Sequence, residues 1–212
     1  LYRLLHVTRM PENQDSGEES VIEFYHQEAL DSGSRIREKL SQAVEQSLKL
    51  LANGLLKHPA NQELRELTTN GNLKPEKYYL HLLRLVYRIL FLLVIEERHL
   101  IYHEKRDEET NQKRSIYYQF YSINRLTKLA EKLIYVDPRK TDLWKSLLVT
   151  FKLFENSYYG EKLGLKPLGS GLFSPNALGN LATQNLDNGT LLKVLQLLVT
   201  FENENQQRVR VN

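Results

Sequence analysis

The sequence predicts a mainly α fold, an irregular helical bundle around one long central helix, with a glycine-rich loop region near the C-terminus. Three observations predict it. Tyr78–His103 (YYLHLLRLVYRILFLLVIEERHLIYH) is apolar almost all the way round a helix, as a buried core helix is. Leu40, Val44, Leu48 and Leu51 recur at the three-and-four spacing of an amphipathic face. Nowhere does apolar–polar alternation run strongly enough to build a sheet.

In chain order, Leu1–Arg9 is short and apolar, a strand or the tail of a preceding domain, and Met10–Ser20 is a polar linker carrying Pro11 and Gly17. A first helix is expected over Ser34–Ala52, closed by Asn53 and Gly54 because glycine accepts the left-handed conformation that ends helices. Gln62–Leu67 is a short helix ending before Asn70 and Gly71. Pro75 opens the central helix, where its missing N–H is no loss, and the helix is expected to reach Tyr102. Glu104–Arg114 reads as a charge-dense loop. A helix over Ser115–Glu131, broken near Ser122–Asn124, precedes Asp137 and Pro138. The next helix, Thr141–Phe154, has Thr141 or Asp142 available as its cap. Gly160–Gly189 is glycine-rich and irregular, and a last helix runs from Asn188 to Phe201. The expected division is 1–20 tail and linker, 21–159 helical bundle, and 160–212 loop and final helix leading to a following domain.

With 212 residues and 41% hydrophobic content the chain has enough apolar side chains for one real core, with or without an appendage. A net charge of +3 is too small to prove nucleic-acid binding by itself. The absence of cysteine excludes disulfides and cysteine metal sites and suits a reducing, cytoplasmic setting. The ends, Leu1 and Asn212, read as cuts from a longer polypeptide, with no signal peptide opening the sequence. In the central helix Arg84, Arg88, Glu96, Glu97 and Arg98 interrupt the apolar run, which argues against a membrane span and for a soluble bundle.

Those five charges suit internal ion pairs better than phosphate clamps, because a half-buried charge must find a partner. His99 and His103 stand four apart, but Leu100 occupies the place where a zinc-protease motif carries glutamate, and no metal site is expected. Lys113–Lys152 concentrates Lys113, Arg114, Arg125, Lys128, Lys132, Arg139, Lys140, Lys145 and Lys152 among Tyr117, Tyr118 and Tyr121. Two readings stay open there: contact with DNA phosphates, or a solvated face. Gly169-Ser-Gly171 does not complete a dinucleotide fingerprint, since Ser174 stands at the third glycine, and reads as a tight turn burying Leu172 and Phe173. Asp107, Glu108 and Glu109 sit in the expected loop, a poor setting for acid–base work, which needs held carboxylates.

Several blocks in order carry a resemblance. They are Phe24–Leu30 (FYHQEAL), Ser34–Leu40 (SRIREKL), Leu55–Asn61 (LLKHPAN), Leu82–Arg98, Tyr121–Leu126 (YSINRL), Asp142–Trp144, and Leu163–Phe173 (LGLKPLGSGLF). Together they resemble the helical region of large bacterial DNA adenine methyltransferases, the fused type IIG restriction–modification enzymes and the methylases of BREX- and DISARM-like phage defence. The resemblance spans Phe24–Asn212. It implies a parent enzyme that transfers a methyl group from S-adenosylmethionine to the exocyclic amine of adenine in double-stranded DNA, and in some members cuts DNA. It places this region before the methyltransferase domain and, in many members, after a nuclease-like one. The family's glycine-rich cofactor motif and Asn-Pro-Pro-Tyr-type motif are both absent; Ser174-Pro175-Asn176 has the wrong order. No catalytic, cofactor-binding or metal residue carries over. The implied role is a connector with backbone contacts through Lys113, Arg114, Arg125, Lys128, Lys132, Arg139 and Lys140. The rival is a scaffold that docks a partner subunit without touching DNA.

Overall fold

The computed structural model describes residues 21–102, 107–132, 136–202 and 208–210. The expected tail and linker, and His103, lie outside them. The fold is mainly α, as the periodicity predicts. Packing divides the chain into two compact units, Leu1–Gln42 and Ala43–Asn212.

Helix α1 runs Val21–Lys57, far longer than Ser34–Ala52, and does not stop at Gly54. That glycine serves packing: a Cβ there would lie 2.8 Å from Thr190 Cγ2 and 2.9 Å from Leu186 Cδ1. The true end of α1 is capped from outside. Arg65 of α2 (Gln62–Thr69) donates to the carbonyls of Leu56, His58 and Pro59, and buried Asn61 donates to that of Leu55.

Helix α3 spans Pro75–Glu97, with Pro75 in its first turn. It ends short of Tyr102 because His99 adopts φ 54°, while Leu100 N–H donates to Ile95 O and His99 N–H to Glu96 O. This is a Schellman close with histidine where glycine is usual. One face buries Leu82, Leu85, Val86, Ile89 and Leu92 with His81, Arg88 and Glu96; Leu80, Tyr87, Phe91 and Val94 stay exposed. By length and composition alone α3 is apolar enough to cross a membrane.

The expected loop before Arg114 is instead helix α4, Glu108–Ile116, because Asp107 caps it by accepting the Thr110 N–H at 2.7 Å. A single π turn, Tyr117–Tyr121, follows and breaks at Ser122; α5 then runs Ile123–Glu131. Helix α6 is Asp142–Glu155, and neither expected residue caps it by a side-chain bond. Asn188 does: its Oδ1 accepts the Leu143 N–H, and its amide donates to Asp142 and to the Asp137 carbonyl. A short α7 (Ser157–Gly160) and 3₁₀ turns fill the irregular stretch before α8, Asn188–Val199. Past α8 a small antiparallel ladder pairs β1 (Thr200–Glu202) with β2 (Arg208–Arg210), Phe201 opposite Val209, too short for alternation to reveal in sequence.

The core gathers Leu51, Leu55, Leu85, Ile89, Trp144, Phe151, Leu191 and Leu195, and residues after 160 such as Leu165, Phe173 and Leu181 belong to it. Trp144 anchors this side, its indole donating to the Gln184 carbonyl at 2.7 Å.

Candidate anion-binding cleft

The π turn and its break at Ser122 leave the first amides of α5 without intrahelical partners. Ser122 Oγ accepts from Arg125 N–H at 3.2 Å, but the sequence places no acidic residue in the first turn to take the others. Glu96, from the end of α3, fills that need. Its carboxylate accepts the N–H groups of Ile123 and Asn124, each at 2.8 Å, and the Tyr117 hydroxyl at 2.7 Å. The α5 dipole favours an anion at this point. Burial pushes the Glu96 carboxyl up, while the Asn124, Tyr117 and Ile123 donors pull it down. Burial likewise pushes the Tyr117 phenol well above its usual range.

Above this buried acid lies a cleft of about 500 Å³. Glu97 and His99 from the α3 close, Tyr118 and Gln119 from the π turn, and Arg125 and Lys128 from α5 line it. The α5 spacing explains the wall. Ile123, Leu126, Thr127 and Ala130 face the core, so Arg125, Lys128 and Lys132 fall along the other side at intervals of three and four. Arg125 reaches α6, donating to Ser146 Oγ at 2.8 Å, while its Nε is buried with no hydrogen-bond partner among the described residues. Burial lowers the Arg125 pKa and nearby Asp142 raises it. Lys128 and Lys132 are exposed. A guanidinium beside an ammonium suits an anion such as phosphate.

The other basic residues are not gathered here. Lys113 pairs with Glu109 at 2.5 Å, and Arg114 lies over the Tyr102 ring, 5.7 Å from its centroid. Arg139 and Lys140 are exposed in the turn before α6, with Arg139 3.6 Å from Asp137. The five charges of the central helix separate into different tasks. Arg88 pairs with Glu155 at 2.8 Å, and Arg84 donates to the Ala177 carbonyl at 3.2 Å. Glu96 caps α5, and Glu97 and Arg98 are exposed. The expected set of internal ion pairs therefore needs correcting at Arg84, which bonds a carbonyl, at Glu96, which bonds amides and a phenol, and at Glu97 and Arg98, which are exposed rather than internal. Sequence reasoning missed the role of Glu96. The available signal was the cap sequence at Ser122, which has no acid three residues later and so needs one from elsewhere.

Among the described residues no group of three or more His, Asp and Glu side chains has metal-binding geometry. Gly171–Phe173 is a 3₁₀ turn that buries Phe173. The nearby glycines serve the chain's own packing, since a Cβ at Gly160 would meet the Leu153 carbonyl and one at Gly179 would meet the His81 ring. Asp107–Glu109 forms the start of α4, a structural cap rather than an acid–base pair. No family model, curated protein or solved structure matches this chain.

Proposed function

We propose that this chain is a non-catalytic helical connector of a DNA adenine methyltransferase or restriction–modification enzyme, and that it holds the DNA backbone through the α5 cleft. The ordered sequence blocks support the family, and with it a parent that uses S-adenosylmethionine and places nuclease-like and methyltransferase domains on either side. The observation that carries the DNA contact is the placement of Arg125 beside Lys128 in the cleft lining, with Lys132 one turn on. Contacts of this kind position a duplex without reading its sequence. Methylation of adenine requires the base to leave the stack, so such an enzyme benefits from an added grip.

Binding of a fluorescent duplex, measured across salt concentrations, tests this. The logarithm of the affinity is expected to fall linearly with log salt, and Lys128→Glu with Lys132→Glu is expected to lower the slope by about two, at about 0.9 per phosphate contact. Glu97 opposes an anion from the facing wall, so Glu97→Gln is expected to tighten binding. A chain that ignores duplex at low salt refutes the contact.

One observation favours the scaffold reading instead. The outer face of α3 exposes Leu80, Tyr87, Phe91 and Val94, between 41% and 51% each, as a stripe of three-and-four spacing. A connector that docks a partner subunit there would leave the cleft solvated, and the duplex titration separates the two.

A further inference from the structure

Within the unit that ends at Gln42, helix α1 carries a second apolar stripe. Tyr25, Ile36 and Leu40 are 66%, 46% and 39% exposed, and with exposed Ala29 they share one face at steps of four and seven. In the other unit the same helix buries Leu48, Leu51 and Leu55. Charge is unevenly divided along the exposed stretch, with Glu28 and Asp31 first and Arg35, Arg37 and Lys39 after, Glu38 being the one acid among them. Glu28 and Arg35, seven residues apart, flank the stripe on one side and meet at 3.3 Å.

We infer that this stretch is a self-association surface on which two copies of the chain pair as antiparallel helices about a twofold axis near Asp31. Charge complementarity selects a second copy and fixes its direction. An antiparallel pair sets each Glu28 beside Arg35 of the other copy, closing a four-charge cluster with the pair already formed within each helix. A parallel pair would put the two copies of this flank on opposite sides of the seam, so that Glu28 could not meet Arg35 of the other copy. The surface is self-complementary, as a twofold interface must be. Tyr25 of one copy then covers Ile36 of the other, and small Ala29 and Gly33 occupy the middle. Gly33 supports this arrangement. A glycine inside a helix weakens it, and a Cβ at Gly33 would meet nothing within 4 Å among the described residues, so the space beside it is open to close approach by a second helix.

Sedimentation velocity of the 212-residue chain over a range of concentrations is the test. A monomer–dimer equilibrium is expected. Ile36→Asp should abolish it with unchanged far-ultraviolet circular dichroism, because Ile36 is exposed in the monomer. Glu28→Arg should weaken dimerisation about tenfold, roughly the effect of 1.4 kcal/mol, and adding Arg35→Glu should restore it. The chain has no cysteine, so orientation is readable by cross-linking. A mixture of Tyr25→Cys and Ile36→Cys chains should form mostly the mixed disulfide. A chain that stays monomeric at its highest soluble concentration overturns the proposal, and so do same-position disulfides as the main product.

Discussion

Replacing Arg88 by Met tests whether one buried cation ties the glycine-rich segment to the central helix. The guanidinium donates to Glu155 Oε1 at 2.8 Å, to the Leu172 carbonyl at 2.8 Å and to the Ser174 carbonyl at 2.7 Å. It lies 5.4 Å from the Phe151 ring centroid and 5.2 Å from that of Phe173, and its side chain is 0% exposed. Methionine keeps an unbranched stem between the rings and removes every donor. Removing one partner of a buried pair costs about 3–5 kcal/mol. Orphaned carbonyls add to this only where water cannot reach them, and Ser174 is exposed, so that range should stand for the whole change. In a chain of this size each kcal/mol lowers Tm by about 2–4 °C, so a fall of roughly 10 °C is expected. Glu155→Gln should cost less, because its oxygen still accepts and the two carbonyls and two rings still surround the cation. Urea unfolding gives the energies, and hydrogen exchange locates them. The amides of Phe173 and Ala177, bonded to the carbonyls of Ser170 and Ser174, should lose protection in Arg88→Met before the bundle opens. If the two variants cost the same, or Arg88→Met costs under about 1 kcal/mol, the latch is not what holds this segment.

Glu96→Ala should cost about 3 kcal/mol or more by stranding two α5 amides and the Tyr117 hydroxyl, whereas Tyr117→Phe should cost about 1; paired urea titrations check the ratio. Gly179→Ala should destabilise far more than Gly71→Ala. Both glycines are left-handed, at φ 51° and 72°, but only Gly179 faces a ring, that of His81, so Gly71→Ala should carry only the strain of about 1–2 kcal/mol. The His81 pKa is held low by burial first and then by Lys77 and Arg84. A base whose folded pKa is depressed leaves more protons on the unfolded chain, so stability should fall as pH drops through the ordinary imidazole value of 6.5. That slope should vanish in His81→Gln. Glu96 works the other way, since its raised pKa makes the folded chain gain stability as pH falls through the carboxylate range, so the two contributions separate by residue.

How much of this was legible in sequence depended on whether the cause was local. The α class, the start of α3 at Pro75, the break at Ser122 and the extent of α6 follow from periodicity, proline and capping residues close by. The errors arose where a distant contact, an overlooked cap or an unannounced backbone conformation decides. Gly54 looks like a stop until α8 lies across it. The charged stretch before Arg114 looks like a loop until Asp107 caps it. The early end of α3 rests on a left-handed histidine, a conformation that composition does not announce. For the site, the i, i+3, i+7 spacing of Arg125, Lys128 and Lys132 was readable, but their separation from Lys113, Arg114, Arg139 and Lys140 was not. Clustering in sequence did not become clustering in space, because Tyr102, Glu109 and Asp137 engage three of those four.

The division of labour among the central charges bears directly on the cleft. Glu96 accepts two bonds at Oε1 and one at Oε2, all from α5 and Tyr117, so it stabilises the helix that carries Arg125 without bonding Arg125 itself. Asp142, the carboxylate that does act on Arg125, accepts from the Asn188 amide. The Arg125 guanidinium is thus fixed by Ser146 and half-buried at the cleft wall. A solvated surface arginine would have no reason to be held this way, since exposed cations satisfy their donors with water at little cost. The acid beneath the cleft is taken up by the α5 backbone and Tyr117, so its charge is spent there and not on the Arg125 guanidinium.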